Sequence, residues 1–212
     1  MLDASFAFEA GATLASIAVL AGYHYRLWRK TRTWPESTAM GRHRLVRDAW
    51  ARSLRDGGKE LIAVQTLRNW ITSATFLAST AILFAMGILG AALTTDKLSA
   101  FVHKLNILGV ETGTLWLLKI MLLFLMLMAT FFNFSLAVRG FIHAGFAIGH
   151  RVANHADAAA NWGKRDLEHG ALHYTLGMRG YYLSIPLTLW LFGPLWMLAG
   201  TVLLVLLLRR ID

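Results

Sequence analysis

The segment Gln65-Thr66-Leu67-Arg68-Asn69-Trp70 sets an arginine and two amides against the start of a long apolar run. Gln65, Arg68, Asn69 and Thr72 follow i, i+3, i+4, i+7 spacing, which puts them on one face of a helix. A second polar line, Ser135, Arg139, His143 and His150, falls within about 40° of Arg139 at helical pitch. A third, Glu168, Thr175 and Arg179, precedes the last apolar run. Arginine's planar fork donates several hydrogen bonds at once, so convergent faces of this kind suit a phosphate, another anion or an anionic lipid headgroup. The candidate ligand-binding set is therefore Gln65, Arg68, Asn69, Arg139, His143 and Arg179. The plainer reading is interfacial anchoring, in which arginine stems snorkel and aromatic rings sit at headgroup level.

Two further charges fall inside apolar runs. Glu9 and Lys119 each sit roughly 8 or 9 Å from the outer end of a span. An isolated charge at that depth is costly and seeks a partner, so Glu9 and Lys119 are expected to pair or to face a wet cavity. Snorkelling to the outer surface is the alternative.

The histidines raise a haem alternative through His24, His143 or His173, which fall near one depth. No local metal-ligand motif accompanies them, and the spans lack the carboxylates of a di-iron or zinc site. No cofactor or metal is therefore expected. There is no cysteine, so thiolate chemistry is excluded. The serines sit in no nucleophile elbow, and no glycine-rich phosphate loop follows a strand, so no catalytic residue is assigned.

These side chains need elements to hold them. Over 212 residues, 56% are hydrophobic and mean hydropathy is +0.50, an excess gathered into blocks. Spans are expected near 4–25, 70–93, 113–138 and 181–207, each long enough for a hydrocarbon core of about 30 Å. The first block has no positive leader and is expected to remain as a helix. Between Trp34-Pro35 and Gly57-Gly58, Leu45, Val46, Ala49, Trp50 and Leu54 recur at helical spacing, with Arg42, Arg44, Arg47, Arg52 and Arg55 over the remaining surface. That pattern predicts an amphipathic helix near 37–56 lying in the membrane interface. The expected fold is all-α and one domain over 1–212: four transmembrane helices, the interfacial helix, and helical extensions on the cytoplasmic side. Gly145 and Gly149 are candidates for close helix contact.

Charge orients these elements. Residues 26–68 hold eleven Lys/Arg against four acids, and 139–180 hold five against three. Residues 94–112 hold only Lys97 and Lys104 with Asp96 and Glu111. The positive-inside rule then places both long connections in the cytoplasm and both termini outside, with Arg209 and Arg210 opposing. The expected location is a bacterial inner membrane with anionic lipids as partners. No nucleic-acid motif accompanies the net charge of +9.

The motifs AVQTLRNWITSATFLASTAIL, FFNFSLAVRGFIHAGFAIG and GMRGYYLSIPLTLWLFGPLWML, taken in order, resemble the domain-of-unknown-function family 599, small multi-span membrane proteins. The resemblance covers most of 35–205. In that family the QTLRN segment, the arginine after the aromatic-rich third span and the R-x-Y-Y approach to the last span recur; here they correspond to Gln65 to Asn69, Arg139 and Arg179. Family members often carry a tyrosine-asparagine pair after the third-span arginine, where this chain has Phe141, Ile142 and His143. The resemblance implies a fold and residues of interest, and no activity. Three functions remain: a homo-oligomeric channel or transporter-like protein with an anion-binding cluster, an accessory or scaffold subunit of a membrane complex, and a haem-binding electron carrier.

Overall fold

In the computed structural model the described residues are 2–53, 60–93, 113–149 and 156–212. Every regular element among them is helical: α1 (Leu2–Thr33), a 3₁₀ turn (Pro35–Ser37), α2 (Ala39–Ser53), α3 (Glu60–Leu93), α4 (Gly113–Gly149), α5 (Ala156–Trp190) and α6 (Pro194–Ile211). Four stretches are long and apolar enough to cross a bilayer: Ser5–Thr33, Leu61–Ala92, Gly113–Ala147 and Pro194–Ile211. The chain is an all-α protein built for a membrane, and α2 stands where an interfacial helix is expected. Leu54, Arg55, the Gly57-Gly58 break, the charges of 94–112 and His150 lie outside the described residues.

α4 packs against α3 on one side and α5 on the other; α6 then packs on α5, and α1 on α6. Lipid is as apolar as leucine, so helices in a bilayer associate through close van der Waals contact, which small residues permit. The α4–α5 seam follows this rule. A Cβ on Gly140 would lie 2.8 Å from the Cα of Gly170, and one on Gly170 would lie 2.8 Å from the Phe141 ring. Gly163 meets Ala147 and Gly177 meets Phe134 at similar distances, 2.8 and 2.9 Å. Gly163, Gly170 and Gly177 recur every seven residues and give α5 a smooth stripe into which the fully buried Phe134 and Phe141 fit. Gly145 takes no such part: a Cβ there would meet only Leu67, at 3.8 Å.

The run 181–207 is not one span. Helix α5 stops at Trp190, and Gly193 takes φ 131°, a left-handed value open to glycine. Pro194 follows, and a residue before proline is disfavoured in the helical region. The chain therefore reverses, and α6 returns along α5. Gly200 lies against Leu189 and Pro186, Tyr182 packs against Leu204, Val205 and Leu208, and Arg179 reaches Asp212. No single rod can bring residues 179 and 212 together.

This hairpin also separates the two ends of the chain. Glu9 near the start of α1 lies beside Trp190 and Lys119, while Asp212 lies beside Tyr23, Ala39 and Arg179. The two termini are thus at opposite ends of the bundle, and Asp212 shares its end with α2.

Candidate functional site

The corner between α1 and α2 fixes the site. Pro35 opens a tight turn, and Thr38 takes an extended backbone (φ −121°, ψ 146°) that can cap a helix. The Thr38 hydroxyl is fully buried, accepts the Gly41 N–H at 3.2 Å, and meets Thr31 of α1 at 3.2 Å. A Cβ on Gly41 would collide with the Pro35 backbone. At the far end of α2, Asp48 bonds Lys164 of α5 and pairs with Arg52. The hydrogen bond from Lys164 holds the Asp48 carboxyl below its ordinary range, with Arg52 adding to the effect. Helix α2 is thereby clamped across one end of the bundle.

Beneath it lies a cavity of about 530 Å³ lined by α2, α3, α4, α5 and α6. Its apolar wall includes Trp70, Phe141, Met178 and Leu208, and Tyr174 and Tyr182 bring hydroxyls. His43, Arg47, Arg179 and Asp212 supply its charged and titratable groups. Burial pulls the Arg47 guanidinium below the ordinary arginine value, with Glu168 opposing, and its Nε is shielded without a hydrogen-bond partner. Arg179 is 3.9 Å from the Asp212 carboxylate, which also accepts the Tyr23 hydroxyl. The Asp212 backbone carbonyl takes the Ala39 N–H at 3.0 Å. Asp212 therefore joins α1, α2 and α5 to the end of α6.

Of the sequence-derived set, Arg179 lines this cavity, and Gln65, Arg68, Asn69, Arg139 and His143 do not. Those five are exposed, on faces of α3 and α4 other than the ones carrying buried Leu67, Ala74, Phe134 and Phe141. A shared helical face identifies neighbours on one rod, and only packing decides which way that face turns. The interfacial reading of α2 likewise turns Arg47 outward, whereas the structure turns it inward with Met40 and His43. The apolar residues Leu45 and Val46 stay exposed, while Trp50 packs against the core around Leu67 and Phe141. The signal that identifies Arg47 is its position one turn from His43 and two turns from Met40, on the face opposite Leu45.

The intramembrane charges meet at the other end. Lys119 Nζ is 2.6 Å from Glu9 Oε1, with side chains only 5% and 4% exposed. The Trp190 indole donates to the same oxygen at 3.0 Å, and its ring lies 5.1 Å below the ammonium. This cluster ties α1, α4 and α5 together.

The histidines of the haem alternative sit on three helices. His24 Nδ1 engages the Leu20 carbonyl of its own helix at 2.9 Å, and His173 Nδ1 engages Asn133 Oδ1 at 3.0 Å. His143 is exposed.

No curated protein and no solved structure matches the chain. The sequence pattern described as "Protein of unknown function, DUF599" matches residues 12–212, which takes in α2, the cavity and the α5–α6 hairpin, and the chain belongs to that family.

Proposed function

We propose that the protein is a non-enzymatic, transporter-like membrane protein that holds an anionic lipid in the cavity under α2. The headgroup sits between Arg47 and Arg179, and the acyl part lies against Trp70, Met178 and Leu208. The observation that carries this reading is the composition of one space, with an apolar wall and two arginines, Arg47 and Arg179, among its lining residues. Two arginines facing one carboxylate leave a single net positive charge, suited to a headgroup with one phosphate. The unpartnered Arg47 Nε and the long Arg179–Asp212 separation supply free donors for it. In this reading α2 and Asp212 face the cytoplasm with the basic connections, which also gives Arg209 and Arg210 the orientation the positive-inside rule favours. The membrane is a bacterial inner membrane.

Native mass spectrometry of the delipidated protein, titrated with phosphatidylglycerol or phosphatidylcholine, tests the proposal. Arg47→Gln and Arg179→Gln are each expected to weaken phosphatidylglycerol binding by about tenfold, the scale of one charge-assisted contact. Unchanged binding in both variants sinks it.

A second reading, docking of a partner subunit or another copy of the chain, is favoured by the exposed polar faces bearing Gln65, Arg68, Asn69, Arg139 and His143. Co-purification of a stoichiometric partner that is lost in an Arg68→Ala/Arg139→Ala variant would establish it.

A further inference from the structure

A second space lies outside the cavity, in the seam between α1 and α6. This groove has a volume of about 670 Å³ and is lined by Arg26, Arg29 and Lys30 of α1 and by Arg209 of α6. We propose that it is a separate binding site for a lipid headgroup carrying two phosphates.

Four cations line the groove with one carboxylate, that of Asp212. That carboxylate already accepts the Tyr23 hydroxyl and faces Arg179 from its other side. Among the described residues, none of the four cations forms an ion pair. The excess of three positive charges exceeds what one phosphate neutralises. Helical spacing concentrates them: residues 26, 29, 30 and 33 form one i, i+3, i+4, i+7 stripe, and Arg209 approaches from the neighbouring helix. The volume lies within the range of sites that hold drug-sized ligands.

The surroundings identify the ligand as a lipid. On the same turns of α1, Tyr25 stacks on Trp28 at 6.2 Å and Arg32 lies 4.3 Å from the Trp28 ring. Tyr25 and Trp28 are 58% and 52% exposed, as in an aromatic belt at headgroup level. Toward the middle of the bundle the seam is closed by Tyr23 and Leu27 against Leu204 and Leu208. Exposed Leu14 and Ile17 on α1 and Leu203 and Leu207 on α6 then offer a surface for acyl chains. A phosphate pair in the groove with chains along the two helices uses both features.

The test compares wild-type protein with Arg29→Gln/Arg209→Gln, which removes one exposed cation from each wall, and with Arg47→Gln/Arg179→Gln from the cavity. Each delipidated protein is titrated in neutral detergent with cardiolipin, with phosphatidylglycerol and with inorganic pyrophosphate, and apparent Kd is read by native mass spectrometry. Wild type is expected to prefer cardiolipin over phosphatidylglycerol. Arg29→Gln/Arg209→Gln is expected to lose about tenfold in cardiolipin affinity while phosphatidylglycerol changes by less than about twofold. Arg47→Gln/Arg179→Gln is expected to keep the cardiolipin preference, so failure of the cavity reading leaves this one standing, and the reverse. Arg26→Gln/Lys30→Gln provides the same reading should the first pair fail to fold. Unchanged cardiolipin affinity, equal loss of both lipids, or pyrophosphate binding as tightly as cardiolipin overturns the proposal.

Discussion

The two ends of the bundle each hold an acid-base pair, and they differ in almost every physical respect. At one end Glu9 and Lys119 meet at 2.6 Å, nearly without exposure, with Trp190 donating to the carboxylate. At the other Arg179 and Asp212 stand 3.9 Å apart, each 19% exposed, with a cavity on one side and a cationic groove on the other. A buried pair with good geometry is costly to break singly, because the survivor is left as an uncompensated charge. A loose, partly solvated pair contributes little to stability and leaves its arginine able to change partners. The first end ties α1, α4 and α5 through one buried pair, and the second leaves its arginine and carboxylate partly solvated.

Breaking the tight end should have the largest effect. Lys119→Ala leaves Glu9 buried and is expected to cost about 3–5 kcal/mol in SDS-driven unfolding from mixed micelles. The double variant Glu9→Gln/Lys119→Met should recover most of that loss, since two neutral groups replace two desolvated ions. If the double is as unstable as the single, the pair is not the source of the cost.

Trp190→Phe keeps the ring beneath Lys119 and removes the indole donor to Glu9, for an expected loss of about 1.5–3 kcal/mol by the same measurement. At the loose end, Asp212→Asn should change stability by about 1 kcal/mol or less. It should also tighten phosphatidylglycerol binding by a few-fold, because Arg179 loses its competing carboxylate. A loss as large as that of Lys119→Ala would erase the contrast between the ends.

The smallest effect concerns pH. The folded state holds Asp48 below its ordinary range, so its contribution to the docking of α2 is complete above the unfolded carboxylate value, about 4. That contribution is lost as pH falls through the lowered folded value. The protection of α2 amides relative to their intrinsic exchange rates should therefore fall below about pH 4, and Asp48→Asn should remove the dependence.

How far the sequence carries differs by element. Apolar length alone identifies the spans at α1, α3 and α4, because a bilayer core demands about 20 helical residues whatever the packing. The same criterion merges the end of α5 with α6, since Tyr181 to Trp190 and Pro194 to Leu208 are both apolar and window averages do not register a reversal. The Gly193-Pro194 pair is the local sign of that reversal. Glycines behave similarly. Gly145 is a contact candidate by residue type, but the close approaches are made by Gly163 to Ala147, Gly170 to Phe141 and Gly177 to Phe134.

The sequence by itself determined that this is a helical membrane protein, that an amphipathic basic helix follows the first span, and that charges as deep as Glu9 and Lys119 require compensation. Those conclusions rest on transfer free energies and helical period, which depend on residue type and spacing. Tertiary structure decided that Arg47 turns inward while Arg68 and Arg139 turn outward, that Asp212 returns to meet Arg179 and Tyr23, and that the grooves beside it carry different charge. Those outcomes depend on which face of each helix meets another, and helical period leaves the rotation of each rod open until the close-packed seams of α4, α5 and α6 set it.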